Sequence, residues 1–267
     1  MPVSGFRRYS KLWENIYNPG EYMLNKSERK NRSLHFTTRP HRLSFDVPES
    51  LYQVFKEIFM EDVYNISSMT SRLPTYPVVI DIGANAGFFD LLLLSKVPGA
   101  RIYAYEPIEA NTTFFEAVIK SNPGLEENID LHRMAVTGTE KDQIDLFAAD
   151  TEDSQVVASV FEGFNKENLS RTTVPAITLE KIIHKHNLER IDILKMDCEG
   201  SEYDIIYNSP PEVIKMARHL AIEIHDIDER NQNFRSLKKY IEGLGYTVTS
   251  APINNFCHAV DALKTGP

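Results

Sequence analysis

From about residue 77 onward the chain alternates short apolar runs with helix-periodic ones. Val78, Val79, Ile80 and Ile82 form a β-branched run that stops at Gly83-Ala84-Asn85-Ala86-Gly87. An apolar, helix-compatible run follows, beginning at Phe88. A buried strand, a small-residue turn and a helix open an α/β nucleotide site. The same alternation predicts strands at 77–82, 101–105, 129–136, 191–196, 219–224, 246–250 and 257–263. Helices are predicted at 88–96, 109–120, 179–186, 200–207 and 234–244. Residues 144–148 and 172–175 read as extra strands or extended loops around a polar segment, 150–168. Such a pattern implies a mostly parallel sheet covered on both faces, with ligands beyond the carboxyl ends of its strands. Upstream the pattern is weaker. Residues 11–17 suggest a short helix, 42–47 a strand, and 49–60 an amphipathic helix with Leu51, Val54, Phe55, Ile58 and Phe59 on one side. We therefore expect an N-terminal cap or lid over residues 1–64 and a nucleotide-binding domain over 65–267.

The turn chemistry narrows the ligand. Gly83 and Gly87 have no Cβ to obstruct a ligand approaching the main chain, and the next helix offers unpaired N–H groups. A dinucleotide fingerprint would need glycines where Asn85 and Phe88 stand, and no Gly-Lys-Ser/Thr ending marks a phosphate loop. Asp81 beside the turn would repel phosphate and attract an ammonium or sulfonium, or else hydrogen-bond loop amides. The loop suits an uncharged or cationic nucleoside.

Composition sets further limits. The chain has 267 residues, 42% of them apolar, which supports a real core. Its net charge of −9 argues against nucleic acid or an anionic membrane as the main partner. The first 42 residues are rich in Arg and Lys, either a face for an anionic substrate or a solvated arm. Two cysteines, Cys198 and Cys257, give neither a disulfide framework nor metal-finger spacing, and a reducing cytoplasm is expected. There is no signal-peptide core and no apolar run long enough to span a membrane.

Chemistry-bearing residues fall at the predicted strand ends. Glu106 follows the second strand, 25 positions after Asp81, where a carboxylate can accept hydrogen bonds from ribose hydroxyls or cap the next helix. Asn111 stands one turn on, able to orient it. Met134, Ala135 and Val136 can line an adenine ring or serve as sheet core. The fourth strand ends in Lys195-Met196-Asp197-Cys198-Glu199-Gly200-Ser201-Glu202, and the fifth in Glu223-Ile224-His225. Neighbouring strands would bring Asp197, Glu199, Glu223 and His225 to one pocket. Either His225 is a base oriented by Asp197 or Glu199, or these groups hold a divalent cation. Glu202 reads as a helix cap, His184 and His186 as surface or edge residues, and Cys198 as chemically quiet.

Together these stretches resemble the FkbM-type methyltransferases. The resemblance runs from about residue 62 to 263 and rests on DIGANAGFF, the Tyr105–Pro107 YEP, ITLEKII, KMDCEGSE and IEIH. The last two blocks, a lysine-x-aspartate-x-glutamate-glycine-x-glutamate run and a glutamate-x-histidine, are the most specific. The resemblance implies a class I methyltransferase, Rossmann-like α/β fold: a seven-stranded, mostly parallel sheet with its last strand antiparallel. It also implies S-adenosyl-L-methionine, leaving as S-adenosyl-L-homocysteine, held by Asp81, Gly83, Asn85, Gly87, Glu106 and Ala135, with Asp197 facing the reacting end. The expected function is O-methylation of a hydroxyl on a sugar or sugar-like metabolite, with Asp197, His225 and Glu199 catalytic. A metal-assisted transferase acting on another oxygen or nitrogen acceptor and a silent cofactor-binding module are the alternatives. A small-molecule or glycan partner is expected, with no committed metal ligand and the oligomeric state, a homodimer included, left open.

Overall fold

The computed structural model describes residues 2–28, 32–149, 158–159 and 168–264; most of the polar segment 150–168 lies outside these. The chain opens with α1 (Arg7–Asn15), α2 (Gly20–Glu28) and an antiparallel ribbon of β1 (Leu34–Thr37) and β2 (Ser44–Val47). A helical stretch follows: one 3-10 turn, α3 (Tyr52–Phe55), and a π-helical segment, Lys56–Glu61. Then come α4 (Ile66–Thr70), β3 (Val78–Ile82), α5 (Phe88–Lys96), β4 (Arg101–Tyr105), α6 (Glu109–Ser121), β5 (Ile129–His132) and β6 (Ala135–Thr137). Next are β7 (Gln143–Ala149), β8 (Ala158–Ser159), β9 (Asn168–Thr178), α7 (Leu179–Lys185) and β10 (Ile191–Met196). The chain ends with α8 (Glu202–Asn208), α9 (Pro211–Lys215), β11 (Ala217–His225), α10 (Phe234–Gly243), β12 (Tyr246–Pro252) and β13 (Cys257–Lys264).

Seven strands make the main sheet, in the order β12-β13-β11-β10-β3-β4-β5. Only β13 runs antiparallel to its neighbours, lying between β11 and β12. The central strands are apolar at successive positions because both faces are covered. Val79, Ile102 and Ile193 belong to one buried cluster, and Ile80, Ile82, Leu194 and Met196 to the other. On the first face α5 is buried all round, from Phe88 to Ser95. Such a helix needs cover on both sides. The sheet covers one, and the N-terminal segment covers the other through Phe45, Phe55 and Phe59, which stack at 5.1–6.3 Å. Phe88 meets Phe45 and Phe59 at 5.3 and 5.9 Å. The first 64 residues thus share a core with the sheet rather than lying loosely on it.

One strand departs from the sequence pattern. The run 129–136 breaks at His132; β5 stays in the main sheet, and β6 leaves it to pair with β9 in a second sheet ordered β6-β9-β7-β8. The reason is local: Met134 N–H bonds back to the His132 carbonyl, a tight turn that redirects the chain. Among the described residues no helix is long and apolar enough to cross a membrane.

Phe59→Ala should lower unfolding free energy by about 3–5 kcal/mol. Because Phe59 packs on α5, chemical denaturation should still show one cooperative transition. Two separated transitions would show that the N-terminal segment folds apart from the sheet.

Candidate functional site

The carboxyl ends of β3, β4 and β10 converge on one cleft, as expected where an open parallel sheet changes its winding direction. Gly83 turns the chain away from β3 with φ +80°, and a Cβ there would meet the Asp197 carbonyl at 1.8 Å. Asn85 also adopts positive φ, 51°. Its N–H donates to Glu106 Oε2 at 2.9 Å, and Ile108 N–H donates to Oε1 at 2.9 Å. Asn111 Nδ2 reaches the same carboxylate at 3.4 Å. Burial pushes the Glu106 pKa upward, and these donors oppose that shift.

Gly83, Asn85 and Glu106 form one wall of the cleft, and Asp197, Cys198 and Glu199 the floor toward β10. The opposite wall is apolar: Met134, Ala135, Val136, Ile144 and Leu146. Ile144 and Leu146 come from β7, so the second sheet roofs the cleft. The space, open mouth included, is about 640 Å³. Polar groups on one side and apolar groups on the other fit a nucleoside.

Two expected cofactor residues do not line this cleft. Asp81 is fully buried, and the Lys195 ammonium lies 2.9 Å from its Oδ1. The two residues are direct neighbours across β3 and β10. Lys195 also donates to the Gly83 carbonyl at 2.6 Å. Burial would lower the Lys195 pKa, yet the charges of Asp81 and Asp197 raise it above the ordinary range. Asp90, buried beside Asp81, is pushed well up by burial and by that charge. Asp81 therefore props the glycine turn from beneath through Lys195, rather than presenting charge to a sulfonium. Gly87 also acts through shape: at φ +77° it starts α5, and a Cβ would strike the Phe115 ring at 2.1 Å.

Beside the cleft floor lies an acid-rich cluster. His225 Nε2 is 3.5 Å from Glu199 Oε2, and its Nδ1 is 3.5 Å from Glu202 Oε1. Burial lowers the His225 pKa, but Cys257, Glu202 and Glu199 together raise it well above the histidine range. Burial and the neighbouring acids Asp197, Glu202 and Glu57 lift Glu199 to about 7, against the opposing charge of His225. Glu223 is pushed well up by burial and by Asp197. Glu202 does not cap its helix, which has no side-chain cap; it accepts from Cys198 and Gly200 N–H, in the turn before it, at 3.0 and 2.8 Å, and it also backs His225. Cys198 is quiet, its thiol pushed well up by burial and by Glu202.

The pattern along the sequence missed two contributors. Tyr64 donates its hydroxyl to Asp197 Oδ2 at 2.6 Å from 133 residues away. Burial and the charges of Asp197 and Glu223 keep that phenol protonated. Glu57 lies close enough to Asp197 for its own pKa to be raised, chiefly by burial and then by that charge. Neither stands in a motif, so only the folded chain reveals them.

Comparison with known proteins agrees with this geometry. Residues 81–248 match the profile of the methyltransferase FkbM domain. The chain belongs to the FkbM methyltransferase family. AmbE, an antimetabolite synthetase of Pseudomonas aeruginosa, is 26% identical over 215 residues, 70% of this chain and 10% of that protein. The methyltransferase sdnD of Sordaria araneosa is 24% identical over 219 residues, 73% of this chain and 82% of that one. The chain thus spans a tenth of the first relative's length and about four fifths of the second's. The METTL16 methyltransferase domain superposes with a TM-score of 0.50 at 12% identity, covering 84% of this chain and 74% of that one. That likeness shows the class I methyltransferase fold, with its single antiparallel strand. As an FkbM methyltransferase, the chain is of the S-adenosylmethionine-dependent kind.

Lys195→Met should cost about 3–5 kcal/mol of stability, because it strands a buried carboxylate. Adding Asp81→Asn should restore at least half of the loss in chemical denaturation. If the double variant were as unstable as the sum of the single ones, the pair would not be coupled.

Proposed function

We propose that this FkbM methyltransferase methylates a hydroxyl of a sugar or sugar-like small molecule or glycan. The observation that carries the reading is that Asp197 and Glu199, which line the cleft, also belong to the acid cluster around His225. S-adenosyl-L-methionine bound in the cleft supplies an electrophilic methyl group. Glu106, held by Asn85 and Ile108 N–H, is the ribose acceptor, and Met134, Ala135 and Val136 flank the adenine. A phosphate-free nucleoside suits this wall, which offers a carboxylate where a pyrophosphate would need donors.

For proton removal the charges favour a revision of the expected roles. An imidazole flanked by Glu199 and Glu202 stays an imidazolium and cannot accept a proton. A carboxylate poised at about 7 can. We assign the base to Glu199, with His225 as its ion-pair partner and Asp197, fixed by Tyr64, orienting the acceptor hydroxyl. Clustered carboxylates also suit a polyol, whose several O–H groups need acceptors. Since Tyr64 and Glu57 come from residues 1–64, we assign acceptor selection to that cap.

Glu106→Ala should weaken S-adenosylmethionine binding by about 1–3 kcal/mol, read by calorimetry; unchanged affinity would remove the ribose assignment. Turnover should rise with pH through about 7, as Glu199 loses its proton. In Glu199→Gln that rise should vanish with the activity, while donor affinity stays near the parent's.

A second reading rests on one observation. Ligand atoms of Asp197, Glu199 and His225 all lie within 4.8 Å of one another, close enough to share a divalent cation. It predicts loss of turnover with a chelator and recovery with Mg²⁺ or Mn²⁺, whereas the base mechanism predicts indifference to both. Donor binding without turnover on any acceptor would instead mark a silent binding module.

A further inference from the structure

At the β5 edge of the main sheet the fold gathers two imidazoles and a carboxylate that the methyl-transfer site does not use. Asp130 and His132 are two apart on β5, so their side chains share one face. His186 stands at the end of α7 and swings over them. His132 Nε2 is 3.2 Å from Asp130 Oδ1, and His186 Nδ1 is 3.8 Å from Asp130 Oδ2. The ligand atoms of all three residues lie within 4.8 Å of one another. Tyrosines hold the rings in place. Tyr103 packs on His186 at 4.1 Å, and Tyr105 stacks on His132 at 4.8 Å. The Tyr105 hydroxyl also sits 3.2 Å from His186 Nε2. His132 and His186 are mostly covered, and Asp130 leaves one side open to solvent.

We propose that Asp130, His132 and His186 form a mononuclear site for a zinc-like divalent transition-metal ion, with one coordination position left to water. A tetrahedral ion with bonds of about 2.0–2.1 Å separates its ligand atoms by roughly 3.3 Å. The imidazole nitrogens lie 3.2 and 3.8 Å from the two oxygens of the Asp130 carboxylate, and the whole donor set within 4.8 Å, so side-chain rotations close the site. Two imidazoles and one carboxylate select Zn²⁺, Co²⁺ or Ni²⁺ over Mg²⁺ and Ca²⁺, which want oxygen cages. Coordination through Nδ1 leaves the proton of His186 on Nε2, where the Tyr105 oxygen accepts it, the outer contact such ligands need. Two cations compete with the ion: Lys185 Nζ lies 3.4 Å from His132 Nδ1, and Arg101 lies 4.0 Å from Asp130 Oδ2. Tyr105 and the residues after His132 line the donor cleft, so the ion would brace one wall of it.

The bland alternative is an ion-pair cluster that ties β5 to α7. The experiment is a titration of the full chain with Zn²⁺ by calorimetry and with Co²⁺ by visible absorption. It is done in a His225→Ala background, to keep the other acid–imidazole group out of the readout. One equivalent is expected. His132→Ala and His186→Ala should each weaken it about a hundredfold and Tyr105→Phe about tenfold, as for ligands and their supporting partners. Lys185→Met should tighten it, which a purely structural cluster would not show. Zn²⁺ should raise the melting temperature of this protein and not of its His186→Ala variant. The proposal is overturned if the folded protein takes up no Co²⁺ at micromolar levels. It also fails if uptake is the same with and without the two imidazoles.

Discussion

The Lys195 ammonium, sealed between the Asp81 carboxylate and the Gly83 carbonyl, is the contact on which the donor cleft depends. A buried charge is tolerated only when paired and hydrogen-bonded, and here the pairing does geometric work. It locks β3 to β10 at the register where both strands end and fixes the carbonyl from which the glycine turn departs. With the turn fixed, the Asn85 N–H points at Glu106 and the Asp197 main chain fills the space a Gly83 side chain would need. The charge that shapes the cleft is thus kept out of it, and the Asp90 carboxyl beside it is pushed well up by burial and by Asp81.

The neighbouring acid cluster follows the opposite electrostatic design. There Asp197, Glu199, Glu202, Glu223 and Glu57 gather around one imidazole, and carboxyl pKa values rise in place of a second counter-ion arriving. Raised carboxyls are reactive ones, since a group that titrates near neutrality can take and return a proton cheaply. A positively charged donor sulfur or a bound cation would relieve the same crowding. The two functional readings are two ways of settling one charge imbalance.

Much of this was legible in the sequence where period and turn chemistry carry the signal. The strand at 191–196, the helix at 88–96 and the break at Gly83 follow from β-branched runs and small residues alone. Glu106, Asp197, Glu199 and His225 stand at strand ends, so topology brings them together. The sequence left the Asp81 partner open because a carboxylate beside a glycine turn reads the same whether it faces a ligand or, as here, the Lys195 on the next strand. Tyr64 and Glu57 were invisible because nothing local distinguishes a residue that reaches across 133 positions. The break at His132 did leave a mark, since Arg133 sets a second polar residue beside His132 and interrupts the alternation, but the apolar run Met134-Ala135-Val136 reads as the same strand resumed. His186 looked like an edge residue, and it is one; only the register of β5 shows what it faces.

The hydrogen bond from Tyr64 to Asp197 joins a chain-terminal segment to an internal motif. Tyr64 and Glu57, from the segment that precedes the sheet, reach the same carboxylate that β10 presents, so two parts of the fold meet at Asp197. A change confined to Tyr64 or Glu57 would therefore alter the surroundings of Asp197 while leaving the Gly83 turn untouched.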